Sequence, residues 1–361
     1  MRLLNLSGIS RLLRAAVLAL IIPAVPAGLA GQAGGPIKVV DSLGRTVVLP
    51  AKVERIISLE PEITRIIVAL GAGERLVGID FFLRRHDRLF PLVFPPSERL
   101  PVVSNQGQDL NYEEAIRLRP DIIFSSPSEF RMTDSIEKKM RLPVAALASM
   151  GKFRDLVTEI ETLGRILGRE DRAAELVSFF GRRMGSLRET GPVRAAGAGP
   201  SAYLSFWGSL LRTPVSYEPV EAAGGKNLAS GLLPSYLGTA GATVSLEQIL
   251  LWDPEVILIQ GNYPPAERQV TVESILRDPR LASVRAVRTG RVHYTFGFWY
   301  WWDPALVLVE TAYLARLFNP VRFPDFDLVR EGDAIFKEFY GAEGLFSALC
   351  RVLDCHEWKP E

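Results

Sequence analysis

Cysteine and histidine are the scarcest reactive side chains in this 361-residue sequence. The two cysteines, Cys350 and Cys355, lie near the C-terminus, and the three histidines at 86, 293 and 356 stand outside metal-ligand spacing of one another. A zinc site would need a fourth ligand that the sequence does not place nearby. The run from Cys350 to His356 evokes covalent haem attachment, but four residues separate the cysteines where about two are usual. A small disulfide loop suits an oxidising compartment better. Catalytic signatures are missing too. There is no Gly-x-Ser-x-Gly elbow, phosphate loop, complete Gly-x-Gly-x-x-Gly or His-Glu-x-x-His. The chain reads as a binding protein, not an enzyme, with no resident cofactor or metal, although triads assembled in space leave no local mark.

Long apolar runs and charge blocks are equally rare. One short apolar run, Ala15 to Ile22, follows Arg2, Arg11 and Arg14 and precedes Pro23, Pro26 and Gly28-Leu29-Ala30. A basic start, a short apolar core and small residues at the exit describe a secretory signal peptide over 1–30. The run is short for a bilayer span of roughly 20 residues, so export with cleavage is expected over an uncleaved anchor. The absence of a cysteine after it argues against a lipoprotein. Removing residues 1–30 leaves 39 basic against 41 acidic residues. Without a basic tract, nucleic acid is excluded as a natural partner.

What the sequence does contain is one motif written twice. Residues 111–124, NYEEAIRLRPDIIF, align without a gap on 245–258, SLEQILLWDPEVIL, at an offset of 134. Each copy reads as a polar cap, an acidic first turn, a short amphipathic helix, a Pro-acid break and an apolar strand. Proline disfavours helical geometry in the residue before it and cannot donate the next helical hydrogen bond. Two copies are too few for a solenoid and indicate two similar α/β lobes. A cleft between lobes is where small ligands bind.

The rest of the sequence fits around this pair. Residues 37–49 form a hairpin pattern with Gly44 in its turn. Arg55 to Leu59, a helix from Ile63 to Leu70 and Leu76 to Asp80 make a strand–helix–strand unit of a parallel sheet. Residues 81–103, with four prolines, are expected to be loop-rich. Helices follow near 131–141 and 152–167, with a strand from Pro143 to Leu147 between them. Ala174, Val177, Phe180, Met184 and Leu187 line one helical face, and some twenty helical residues extend ~30 Å, enough to bridge two lobes. Strands at Ser201 to Phe206, Glu255 to Gln260 and Arg291 to Tyr294, and a helix from Ala305 to Phe318, build the second lobe. The expected organisation is a lobe over 37–168, a bridge over 169–190 and a second lobe with an extension over 191–361.

The segments VERIISLEPEITRIIVALGAGERLVGID (53–80), LNYEEAIRLRPDIIF (110–124) and VSLEQILLWDPEVILI (244–259), with the hairpin before them, resemble the periplasmic binding proteins of iron–siderophore, haem and cobalamin ABC importers. The resemblance covers most of 37–320. It implies an α/β fold of two Rossmann-like lobes bridged by a single long α-helix, with the ligand cleft between them. It further implies a periplasmic or otherwise exported monomer that hands a metal chelate to a permease dimer, its only route to the membrane. The chelate expected first is an iron–siderophore or haem, then a corrinoid, then an oxyanion such as molybdate. The family's permease-docking glutamates map to Glu113 and Glu247. Independently, pseudo-symmetric carboxylates suit a two-fold partner with fork-shaped guanidinium groups, although each acid also suits the positive start of its helix. Two departures stand out: Thr64-Arg65 where relatives commonly carry Thr-Glu, and Glu60 where a small residue is usual.

Ligands of such sheets sit beyond the C-terminal strand ends. This selects Glu60, the cluster Arg84-Arg85-His86, Trp207 and Tyr263, with Tyr203 and Tyr217 also in range. The run Thr295 to Trp302 places six aromatics in eight residues. Of these, Phe298, Trp299, Trp301 and Trp302 offer flat contact area for a large ring system, unless they fill the core. Arginines in a cleft suit carboxylates or oxyanions. The rival classes are an exported haem- or metal-carrying redox protein using Cys350 and Cys355, and a sensor subunit of the same fold.

Overall fold

The computed structural model describes residues 35–105, 109–127, 130–147, 152–190, 199–234, 241–297, 303–355 and Trp358. The signal-peptide segment 1–30 and the aromatics Phe298, Trp299, Trp301 and Trp302 lie outside these. The first half runs β1 (Ile37–Val40), β2 (Thr46–Leu49), β3 (Ile56–Ser58), α1 (Pro61–Ala69), β4 (Leu76–Ile79), α2 (Phe81–Arg85), α3 (Phe90–Val93), α4 (Tyr112–Arg117), β5 (Ile122–Ser125), α5 (Phe130–Met140), β6 (Val144–Ala146), α6 (Phe153–Leu167) and α7 (Glu170–Thr190). The second runs β7 (Ser201–Ser205), β8 (Arg212–Pro214), α8 (Glu218–Ala222), β9 (Lys226–Asn227), β10 (Gly241–Thr243), α9 (Leu246–Trp252), β11 (Val256–Gln260), α10 (Val272–Leu276), α11 (Arg285–Arg288), β12 (Val292–Thr295), α12 (Pro304–Phe318), α13 (Leu328–Tyr340) and α14 (Leu345–Leu353).

These elements build two Rossmann-like lobes. One sheet has the order β4-β3-β5-β6 and the other β12-β11-β7-β9, and every pairing in both is parallel. Strands covered on both faces read as continuous apolar runs, and β5 and β11 are buried along their whole length. α7, at 21 residues, links the two sheets. It leaves α6 through Gly168, whose φ of +62° supplies the left-handed stop that glycine tolerates. A Cβ on Gly164 would lie 2.6 Å from the Ala173 Cβ, so two small residues set the close crossing of α6 and α7. No helix among the described residues is long and apolar enough to cross a membrane.

The twofold motif repeats in its hydrogen bonds. The Asn111 carbonyl oxygen of the side chain accepts from the Glu114 N–H, and the Ser245 hydroxyl accepts from the Gln248 N–H. Arg119 and Asp253, each just before the proline, take left-handed φ values of 48° and 42°. The acid after the proline then ties down the neighbouring strand. Asp121 accepts from the Arg55 N–H at 2.9 Å, and Glu255 accepts from the Ser201 N–H at 2.9 Å.

Within the loop-rich stretch expected over 81–103 the structure places two short helices, α2 and α3. Asp80 caps α2 by accepting from the Phe82 and Leu83 N–H groups, and Pro91 sits in the first turn of α3, where a missing N–H costs nothing. The C-terminal extension also differs from an appendage of the second lobe. Arg172 on α7 donates to the Glu338 and Phe339 carbonyls, and Arg183 pairs with Glu331. Arg65 on α1, buried, pairs with Asp87 and faces Asp303 at 3.9 Å, while Tyr340 on α13 donates to Asp303. Both lobes and the extension meet in that network.

Candidate functional site

The strand ends of the second lobe enclose a cavity of about 190 Å³ lined by Ser205, Trp207, Gly208, Ile259, Gln260, Tyr263, Glu267, Arg268, Gln269 and Val270. It forms because β7 and β11 stop side by side. The Gln260 side-chain carbonyl accepts from the Trp207 N–H at 2.7 Å, which fixes the turn at Trp207, itself at a φ of 53°. Glu267 at the rim pairs with Arg88 of the first half of the chain at 3.1 Å. Hydroxyl, amide, indole and phenol groups therefore converge on one small concavity, the usual make-up of a ligand site.

The strand ends of the first lobe carry buried acids. Glu60 follows β3 and is 1 % exposed. Burial first, and Glu62 second, push its carboxyl well above the usual range, and Ser126 lowers it in part. Among the described residues neither of its oxygens meets a donor in hydrogen-bond geometry. Asp80, after β4, is pushed up to about 7 by burial despite the two N–H groups it caps. On the second lobe the Glu310 carboxyl is pushed up to about 7 by burial. It accepts from the Thr295 hydroxyl and the Phe296 N–H at the end of β12.

The cavity brings together Trp207 and Tyr263 of the residues expected to bind ligand, with Ser205 and Gln260. Arg84 does not line it: its guanidinium holds the following loop by donating to the Ser97 and Leu100 carbonyls at 2.8 and 2.5 Å. Arg85 is exposed, and the His86 ring lies 5.7 Å from both Phe81 and Phe82. Tyr203 and Tyr217 are core residues at 0 % and 1 % exposure. Sequence reasoning missed Arg268 and Gln269, which sit on a proline-rich loop eight and nine positions past β11, with no motif to mark them. Among the described residues no three His, Cys, Asp or Glu side chains are placed to hold a metal ion. Cys350 and Cys355 are joined in a disulfide.

Glu113 on α4 and Glu247 on α9 are both exposed. A backbone N–H and the Ser245 hydroxyl hold the Glu247 carboxyl below its usual range. Three positions beyond each acid stands an exposed aliphatic residue, Ile116 at 59 % and Leu250 at 37 %.

Comparison with known proteins follows the same outline. A family model described as periplasmic binding protein matches residues 56–296. The molybdate-binding protein MolA of Haemophilus influenzae is 27 % identical over 84 % of this chain and 90 % of its own. A cobalamin-binding protein of Halobacterium salinarum is 23 % identical over 62 % of this chain and 58 % of its own. The solved structure of MolA bound to molybdate superposes with a TM-score of 0.70 at 22 % identity, covering 85 % of this chain and 98 % of that one, which shows the fold.

Proposed function

This chain belongs to the periplasmic binding protein family, and on that premise we propose that it is the exported substrate-binding protein of an ABC importer for a metal-bearing solute. The observation that carries this reading is the cavity at the ends of β7 and β11, where Trp207, Gln260 and Tyr263 converge. At about 190 Å³ the space takes a small oxyanion whole but only one arm of a siderophore or corrinoid, since pockets for drug-sized ligands run to roughly 300–1,000 Å³. A metal oxyanion is therefore the first reading. The metal chelate expected from the sequence is the second, favoured by the aromatic run 295–302. MolA supports the first, and the cobalamin-binding relative supports the second. The disulfide between Cys350 and Cys355 occupies both thiols that a covalent haem would need, which disfavours the redox-protein alternative.

Delivery runs through α4 and α9. Glu113 with Ile116 and Glu247 with Leu250 repeat the same acid and aliphatic pair at an offset of 134, and a repeated pair suits a two-fold permease. Calorimetric titration of the mature protein with molybdate, haem, ferric siderophores and cobalamin tests the cargo; no heat with any of them would sink it. Reversing both charges (Glu113→Arg with Glu247→Arg) is expected to leave solute affinity unchanged and abolish uptake in a transport assay. Uptake at the wild-type rate would remove the docking role.

A further inference from the structure

Arg268 is the one cation lining the cavity, and no carboxylate pairs with it among the described residues. Its neighbour Glu267 is taken by Arg88. The guanidinium is instead held by neutral groups. Nε donates to the Tyr263 carbonyl at 3.1 Å, and Nη2 donates to the Leu353 carbonyl at the end of α14. Its Cζ lies 4.3 Å from the Tyr294 ring centre and 5.8 Å from that of Trp358. These contacts fix the fork without neutralising it, and among the described residues Nη1 meets no acceptor. A half-buried guanidinium in that state attracts a carboxylate, phosphate or oxyanion, which it can meet with two parallel hydrogen bonds.

Two of the groups that hold Arg268 belong to the C-terminal segment. Trp358 is 6 % exposed and packs at 4.8 Å on Phe296 and 5.5 Å on Tyr294. It also fills the space beside Gly261, where a Cβ would meet its ring at 2.6 Å. The Trp358 backbone N–H donates to the Cys355 carbonyl at 3.1 Å, and the Cys350–Cys355 disulfide ties that accepting residue back to α14. The segment thus backs the ends of β11 and β12, the strands from which the cavity opens.

We propose that Arg268 is the ligand-facing cation of the site, taking an anionic group of the solute, and that the disulfide-closed C-terminal segment positions it through Leu353 and Trp358. This rests on the cavity being the solute site. Arg268 contacts the ligand; Trp358 and the disulfide act through Arg268.

The test is calorimetry of the full mature protein with sodium molybdate, ferric citrate and the cationic ferrioxamine B, alongside amide hydrogen exchange over 259–270. Arg268→Gln is expected to weaken binding of an anionic probe about 10- to 100-fold, the loss of a charge-assisted pair, with Arg268→Lys in between. Trp358→Ala and the double variant Cys350→Ser with Cys355→Ser are expected to weaken it about tenfold and to speed exchange at 261–270. On an Arg268→Gln background Trp358→Ala should add nothing. Anionic binding that survives Arg268→Gln, or a Trp358→Ala loss of equal size in both backgrounds, overturns the proposal. So does unchanged exchange over 261–270 in Trp358→Ala. Tight ferrioxamine B binding indifferent to Arg268→Gln would leave the importer reading standing and overturn this one. Failure of all three probes to bind would overturn both the anion assignment and the cargo class.

Discussion

The two lobes use one backbone plan and opposite chemistry at their strand ends. In both, a capped short helix stops at a left-handed residue before proline, and the next acid anchors the adjacent strand. Beyond β3 and β4, however, the first lobe buries Glu60 and Asp80, whereas beyond β7 and β11 the second lobe offers Trp207, Gln260 and Arg268 around open space. Backbone-level requirements are retained in the repeat because every helix–strand unit must satisfy the same donors and acceptors. Strand-end side chains carry no such shared backbone requirement, so they diverge.

The largest expected effect comes from the buried cation that joins the lobes. Arg65→Met leaves Asp87 and Asp303 without their guanidinium, and removing one partner of a buried pair costs about 3–5 kcal/mol. Urea unfolding should show one transition shifted as a whole. Two separated transitions already in the unsubstituted protein would mean that the lobes unfold independently and that this network does not couple them.

A pH titration sharpens the comparison, because burial pushes Asp80 of the first lobe and Glu310 of the second up to about 7, and the first lobe also holds Glu60 well above the usual range. A carboxyl that binds its proton more tightly when folded stabilises the protein fully below its unfolded value, about 4, and ceases to do so above about 7. Unfolding free energy is therefore expected to fall between about pH 4 and 7, by at most about 3–4 kcal/mol per group. Denaturant midpoints at several pH values measure this. Glu310→Gln should flatten the slope by its own share and leave the Asp80 share in place; an unaltered slope would contradict the burial of Glu310 as a proton-binding carboxyl.

The smallest effects test the repeat itself. Asn111→Ala and Ser245→Ala each remove one N-cap and should cost about 1 kcal/mol. Thermal unfolding that finds one cap silent and the other costly would break the equivalence of the two units.

Much of this architecture was legible in the residues because its signals are local. Caps, prolines and apolar periodicity mark α4–β5 and α9–β11 within a dozen positions, and one helical stripe marks α7. Trp207 and Tyr263 were legible as strand-end positions. Arg84 was not: its carbonyl partners lie 13 and 16 residues on, beyond the reach of any local pattern. The departure at Arg65 was visible in the sequence, but its role was not, because Asp303 and Tyr340 reach it only through folding.

The sequence by itself determined a doubled α/β unit, a helix long enough to bridge two sheets and a pair of cysteines close enough to bond. Local hydrogen bonding and side-chain periodicity suffice for those features. Only the tertiary structure decided that Arg268 stands in the cavity and that the C-terminal segment reaches both lobes. Those outcomes depend on contacts such as Arg268 to Leu353, 85 residues apart, and no local pattern encodes a partner at that distance.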